Sequence, residues 1–84
     1  MSFYVYILYS LRLNKYYVGS CQDISARLDE QHNAGRVIST KSGMPWILKY
    51  SEIFETRSTA VKREMEIKKK KSRKYLEWLI SSSD

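Results

Sequence analysis

Glu64 is the residue whose setting most calls for chemistry. In a helix its neighbours three and four positions away are Ala60, Val61, Ile67 and Lys68, and Met65 adjoins it, so its carboxylate falls inside an apolar stripe. Burying a carboxylate without a partner costs on the order of several kcal/mol. It therefore needs a cation, a metal ion or water in a cleft; the plainer alternative is an ion pair with Lys68 one turn on, worth about 0.3–0.5 kcal/mol if exposed. Arg27 has the same double character. It lies three residues from Ile24 and turns partly toward the core side of its helix, where it either snorkels or serves a site. Tyrosine is over-supplied, with 7 in 84 residues, and Tyr4, Tyr6, Tyr9, Tyr16 and Tyr17 fall close together. Each can fill a core and hydrogen-bond its hydroxyl, or orient a bound anion. Lys62, Arg63, Lys68, Lys69, Lys70, Lys71, Arg73 and Lys74 place 8 of the 15 basic residues in one region with few acids between them. Such a cluster either solvates a helix face or contacts phosphate with salt-dependent affinity and little sequence preference. His32 and Cys21 are weaker signals: a lone histidine after a helix suits a cap or a surface group, and Cys21 needs only its small size as a reason.

The elements that must hold these groups follow from patterning. Residues 3–9 are β-branched and aromatic on both parities, which suits a central strand covered on both faces. After a polar break, Tyr16-Tyr17-Val18-Gly19 repeats that character, giving an antiparallel hairpin. A period of two puts Tyr4, Tyr6 and Leu8 on one face and Phe3, Val5, Ile7 and Tyr9 on the other; Tyr17 goes with Gly19, opposed to Tyr16 and Val18. Asp23 is an N-cap for a short amphipathic helix through Ile24 and Leu28, stopped by Asn33-Ala34-Gly35. Residues 36–45 form a polar, basic segment too long for a tight turn, hence a binding or mobile loop. Residues 46–54 alternate as a third strand with one wetter face. A second helix opens at Ser58, and a third at Ser72 turns Tyr75, Leu76, Trp78, Leu79 and Ile80 toward the core. The prediction is an α/β (α+β) domain over residues 3–80, a three-stranded antiparallel sheet flanked by helices in the order β-β-α-β-α-α, with residues 81–84 a frayed tail.

Composition narrows the partners. A chain of 84 residues, 43% hydrophobic, buries roughly 60% of its unfolded surface and supports one modest core. The net charge of +6 favours a polyanion as partner. One cysteine and one histidine provide neither a disulfide nor a zinc cluster, and no apolar run approaches the ~18 residues of a membrane span. A cytoplasmic protein without membrane contact is expected.

Taken in order, Tyr4-Val5-Tyr6, Tyr17-Val18-Gly19, Arg27 and Glu64 resemble the GIY-YIG nuclease domain over nearly the whole chain. The likeness is strongest to its small stand-alone bacterial branch, through Ser39-Thr40-Lys41, Pro45-Trp46 and the Arg63, Glu64, Lys68 spacing. The resemblance implies hydrolysis of DNA phosphodiesters with Mg²⁺ (or Mn²⁺) held by Glu64 and with Tyr6, Tyr17 and Arg27 as catalytic residues. One tyrosine would serve as general base and the other would orient phosphate, in an order left open. Three departures stand out: Tyr4 replaces the leading glycine, valine twice replaces isoleucine, and the histidine is displaced. The family places it four residues after the arginine, where this chain has Gln31; His32 comes one later, a rotation of about 100° on an α-helix. His32 is carried as a fourth catalytic candidate, and Asn33 either caps the helix or approaches phosphate.

Arg36, Lys41, Lys68, Lys69, Lys71 and Arg73 are the expected contacts to DNA, branched or nicked. The whole reading requires two phenols, a guanidinium and a carboxylate to line one concave pocket. Two other functions compete: a nucleic-acid-binding module that does not cut, and a protein-interaction domain whose charge serves solubility.

Overall fold

The computed structural model describes residues 2–82. Its three strands are β1 (Phe3–Ser10), β2 (Lys15–Cys21) and β3 (Trp46–Phe54), joined in one antiparallel sheet in the order β2-β1-β3. The double-sided apolar strand is central, and layers packed on both faces of the sheet bury its two parities: Val5, Tyr6, Ile7 and Leu8 are all buried. Helices α1 (Ile24–Ala26), α2 (Ile38–Lys41), α3 (Arg57–Lys70) and α4 (Arg73–Ser82) complete the chain, with a π-helical segment, Arg27–His32, continuing α1. The Asp23 carboxylate caps α1 by accepting from the Ala26 N–H at 3.0 Å, and Thr56 caps α3.

The sheet separates two apolar layers. Val5, Ile7 and Val18 meet Ala60, Ile67 and Leu79 of α3 and α4 on one face. Tyr6, Leu8, Cys21 and Trp46 meet Tyr17, Ile24, Leu28 and Met44 on the other. The parity assigned to the tyrosines from the sequence therefore holds.

Four expectations need correction. Residues 36–45 are not an open loop: they contain α2, and Thr40 is fully buried. Trp78 is 59% exposed, stacked on Tyr75 with ring centroids 5.9 Å apart rather than turned into the core. The stripe around Glu64 is narrower than its spacing suggests, because Ala60 and Ile67 are buried while Val61 and Met65 are exposed. Ser81 and Ser82 belong to the last turn of α4, their hydroxyls donating to the Trp78 and Leu79 carbonyls; residues 83–84 of the expected tail lie outside the described residues.

Asn33 closes the π segment, its backbone N–H bonding the Leu28 carbonyl. Its side chain accepts from the Trp46 N–H at 2.5 Å and donates to the Trp46 carbonyl at 3.0 Å, pairing with the start of β3 as another strand would. Asn33→Ala leaves both backbone groups unpaired and is expected to cost about 1–3 kcal/mol. At roughly 4–8 °C per kcal/mol for a domain of this size, a thermal melt reads the loss directly, and an unchanged Tm would contradict it.

Candidate active site

Tyr6 and Tyr17 lie diagonally on one sheet face, since Tyr6 pairs with Gly19 and Leu8 with Tyr17 across β1 and β2. Their ring centroids are 6.5 Å apart, and the His32 ring stands 5.8 Å from Tyr6 and 5.0 Å from Tyr17. Tyr4 packs at the margin of this layer. Tyr9 and Tyr16 pair with each other and take no part.

The displaced histidine reaches the cluster because the helix carrying it is not an α-helix. The Arg27 N–H still bonds the Asp23 carbonyl four residues back, but the Asn33 N–H bonds Leu28 and the Arg36 N–H bonds Gln31, each five residues back. A turn closed by i→i+5 bonds is wider than an α turn, so the residue five after Arg27 returns toward the side that the fourth would take in an α-helix. The π segment absorbs the extra residue.

His32 is buried and held at both nitrogens. The Thr40 hydroxyl donates to the Val37 carbonyl at 3.3 Å, so its oxygen accepts from His32 Nδ1–H at 2.9 Å. That fixes the tautomer. Nε2 then accepts the Tyr6 hydroxyl proton at 2.9 Å. A chain of donors thus runs from Tyr6 through His32 and Thr40 to a backbone carbonyl. Burial, and to a lesser degree the Tyr17 phenol, raises the Tyr6 pKa well above its ordinary value, while the Arg27 charge opposes the shift. Burial, and then the Arg27 guanidinium, holds His32 below the ordinary 6.5. Burial likewise pushes the Cys21 thiol up.

Because the folded His32 binds its proton less readily than the unfolded chain does, its contribution to stability is complete above pH 6.5 and is lost as pH falls toward the lower folded value. Thermal melts at pH 7 and pH 5 should show wild type losing more stability than His32→Gln; equal slopes would contradict the buried neutral imidazole.

Glu64 approaches from the other side. It projects from α3, half-buried, with Oε1 accepting from the Ser20 hydroxyl at 2.6 Å and Oε2 from Lys68 Nζ at 2.5 Å. Ser20 alternates with Gly19 and Cys21 on β2 and so faces the helix layer. The carboxylate thus comes from the helix layer and the phenols from the opposite sheet face, and the two approach each other at the edge strand β2. Lys68 spans the edge, its ammonium 5.9 Å from the centre of the Tyr17 ring, and the charges of Glu64 and Arg27 both register at the Tyr6 hydroxyl. Among the described residues no three His, Cys, Asp or Glu side chains are grouped to hold an ion. A single carboxylate beside a hydroxyl fits a hard divalent cation that keeps most of its water, and the cation already resting on Oε2 is a lysine.

The six basic candidates occupy three places. Arg36 and Lys41 are exposed on the segment that packs beside His32. Lys68, Lys71 and Arg73 line a cleft beyond the β2 edge. Lys69 faces another flank of α3 with Lys62, Met65 and Glu66. Arg63 is committed to structure, bonding Glu52, Glu66 and the Tyr75 hydroxyl. Thr40 and Asn33 carry more of the site than their residue types advertise; the one signal for Thr40 was its place in the Ser39-Thr40-Lys41 motif.

Comparison with known proteins bears on the family and the fold. The family model described as the GIY-YIG catalytic domain matches residues 2–76. A UPF0213 protein of Staphylococcus aureus strain Mu3 is 47% identical over 53 residues, 62% of this chain and 63% of the relative; the chain thus spans under two thirds of that relative's length. A UPF0213 protein of Staphylococcus haemolyticus is 41% identical over 66 residues, 77% of this chain and 78% of the relative. The solution NMR structure of a UPF0213 protein from Bacillus halodurans superposes with a TM-score of 0.57 at 28% identity, covering 96% of this chain and 84% of that one.

Proposed function

This chain belongs to the GIY-YIG family, a nuclease-type family, and from that premise we propose that it is a divalent-metal-dependent endonuclease hydrolysing DNA phosphodiester bonds, serving DNA repair or recombination in the cytoplasm. The observation that carries the proposal is the Tyr6–His32–Thr40 chain: a buried imidazole with one nitrogen committed and the other turned to a motif tyrosine. Such an arrangement costs desolvation, and a core of this size has apolar alternatives.

Phosphodiester hydrolysis needs an oriented water, positive charge on the developing phosphorane and a place for protons. Tyr6 is 2% exposed and spends its proton on His32, so it acts as the brace that fixes the imidazole. Tyr17 is only half-buried and is the phenol assigned to the attacking water and scissile phosphate. Arg27, exposed at the mouth of the π segment, supplies positive charge from the same face and Lys68 supplies it from the edge. Glu64, with Ser20 beside it, would hold the metal ion, which when bound lends Lewis-acid stabilisation to the leaving oxygen.

One observation favours a second reading, a nucleic-acid-binding module that does not cut: both Glu64 oxygens are already engaged, by Ser20 and Lys68. Incubation with labelled duplex, single-stranded, flap and four-way DNA in Mg²⁺ or Mn²⁺, against the same panel in EDTA, separates the two. Cleavage of at least one substrate, abolished by the chelator, is the expected result. Binding with no cleavage anywhere in the panel would leave the second reading standing.

A further inference from the structure

Beyond the edge of β2, on the α3–α4 side, a cleft of about 290 Å³ opens between the start of the strand and the joint of the two helices. Four cations, Lys15, Lys68, Lys71 and Arg73, line it, with Val18 and Ile67 beneath, and neither Asp nor Glu is among the lining residues. Two of the four are held in place. Arg73 donates to the Asn14 carbonyl at 2.9 Å and to Asn14 Oδ1 at 2.7 Å, lies over the Tyr16 ring and pairs with Glu77. Lys68 reaches the cleft from its contact with Glu64. The side chains of the other two, Lys15 and Lys71, make no hydrogen bond or ion pair among the described residues. Lys71 also ends α3 in the left-handed conformation, φ 48°, at a position where glycine is the low-cost choice. Two lysines with unpaired ammonium groups beside Lys68 and Arg73, in a lining without an acid, point to an anion that comes from outside.

We propose that this cleft is a second phosphate subsite, which takes one backbone phosphate of the nucleic acid with its sugar against the apolar floor. The volume is at the small end of ligand pockets, matching one nucleotide's backbone rather than the side of a double helix. Lys68 belongs both to the cleft and to the Glu64 contact, so a strand with its scissile phosphate at Tyr17 and Glu64 would turn around the β2 edge and place a neighbouring phosphate between Lys15 and Lys71. The assignment of that neighbouring phosphate rests on the nuclease reading; the cleft's affinity for phosphate does not.

The test measures binding without cleavage. In a Glu64→Gln background with EDTA, fluorescence anisotropy of a labelled oligonucleotide compares Lys15→Glu/Lys71→Glu with Lys49→Glu/Lys62→Glu, which makes the same change in net charge away from the cleft. The cleft pair is expected to lose at least about tenfold more affinity and to reduce the salt slope by roughly two counterions; equal losses overturn the proposal. Because charge reversal can harm folding, NMR titration of the wild type with thymidine 3′,5′-bisphosphate provides the second arm. Shifts at the Val18 and Ile67 methyls support the subsite, and shifts confined to residues 36–41 refute it. Methyl shifts without cleavage of any DNA would remove the nuclease reading and leave the subsite, whereas cleavage with no difference between the two double variants would do the reverse.

Discussion

Glu64→Gln should lose metal-dependent cleavage by on the order of 10³-fold while folding as the wild type does. Glutamine keeps the shape of the side chain and can still accept from the Ser20 hydroxyl now 2.6 Å from Oε1, so the half-buried site stays satisfied. What disappears is the negative charge. The Lys68 partner is an i,i+4 ion pair whose lysine side chain is 49% exposed, a geometry worth about 0.3–0.5 kcal/mol, so the melting temperature should barely move. DNA affinity in EDTA should be equal or higher, because an acid has left a basic surface and Lys68 is released. Activity, stability and affinity thus move in three different ways. Wild-type cleavage rates in the glutamine variant would remove Glu64 from the reaction.

Gly19→Ala should reduce cleavage by about 10²-fold or more through misplacement alone and cost about 1–3 kcal/mol in overpacking. Gly19 faces Tyr6 across the β1–β2 ladder, and its φ is not in the left-handed region, so glycine is required there for space. An added methyl would sit 2.6 Å from Tyr6 Cζ and overlap the hydroxyl. The ring must then turn, and its hydrogen bond to His32 Nε2, 2.9 Å in the native arrangement, cannot survive. The signature is non-additivity: in a Tyr6→Phe background, where the hydroxyl is already gone, the alanine should cost clearly less than it does in wild type. Additive losses in both kinetics and melts would mean that Gly19 and Tyr6 act independently.

Much of the scaffold was legible in the sequence because its signals are local. The both-parity apolar run marked β1 as central, alternation marked β3, and Asp23 and Ser72 marked helix starts. The same period-two count placed Tyr6 and Tyr17 on one face. What escaped depends on contacts far apart in the chain. Nothing about Asn33 or Thr40 reveals that one pairs with Trp46 and the other seats His32, because a small polar residue between elements looks the same with or without such a partner. Trp78 was misplaced for a related reason: α4 has more apolar residues than one face can bury, and only the packing decides which is left out. The separation of Glu64 from the phenols by the edge strand was hidden as well, since helical spacing tells which neighbours a carboxylate has on its own helix and not which side of a sheet that helix covers.

The π-helical segment has a consequence for how members of such a family are compared. It works as a spare loop of cable: the chain can gain a residue between guanidinium and imidazole while the imidazole is still delivered to the same address. Columns counted forward from Arg27 find glutamine where histidine belongs, yet the imidazole one place further on is the one that reaches Tyr6. A change in length that reads as decay of the motif can therefore be silent in three dimensions, provided the helix is free to widen.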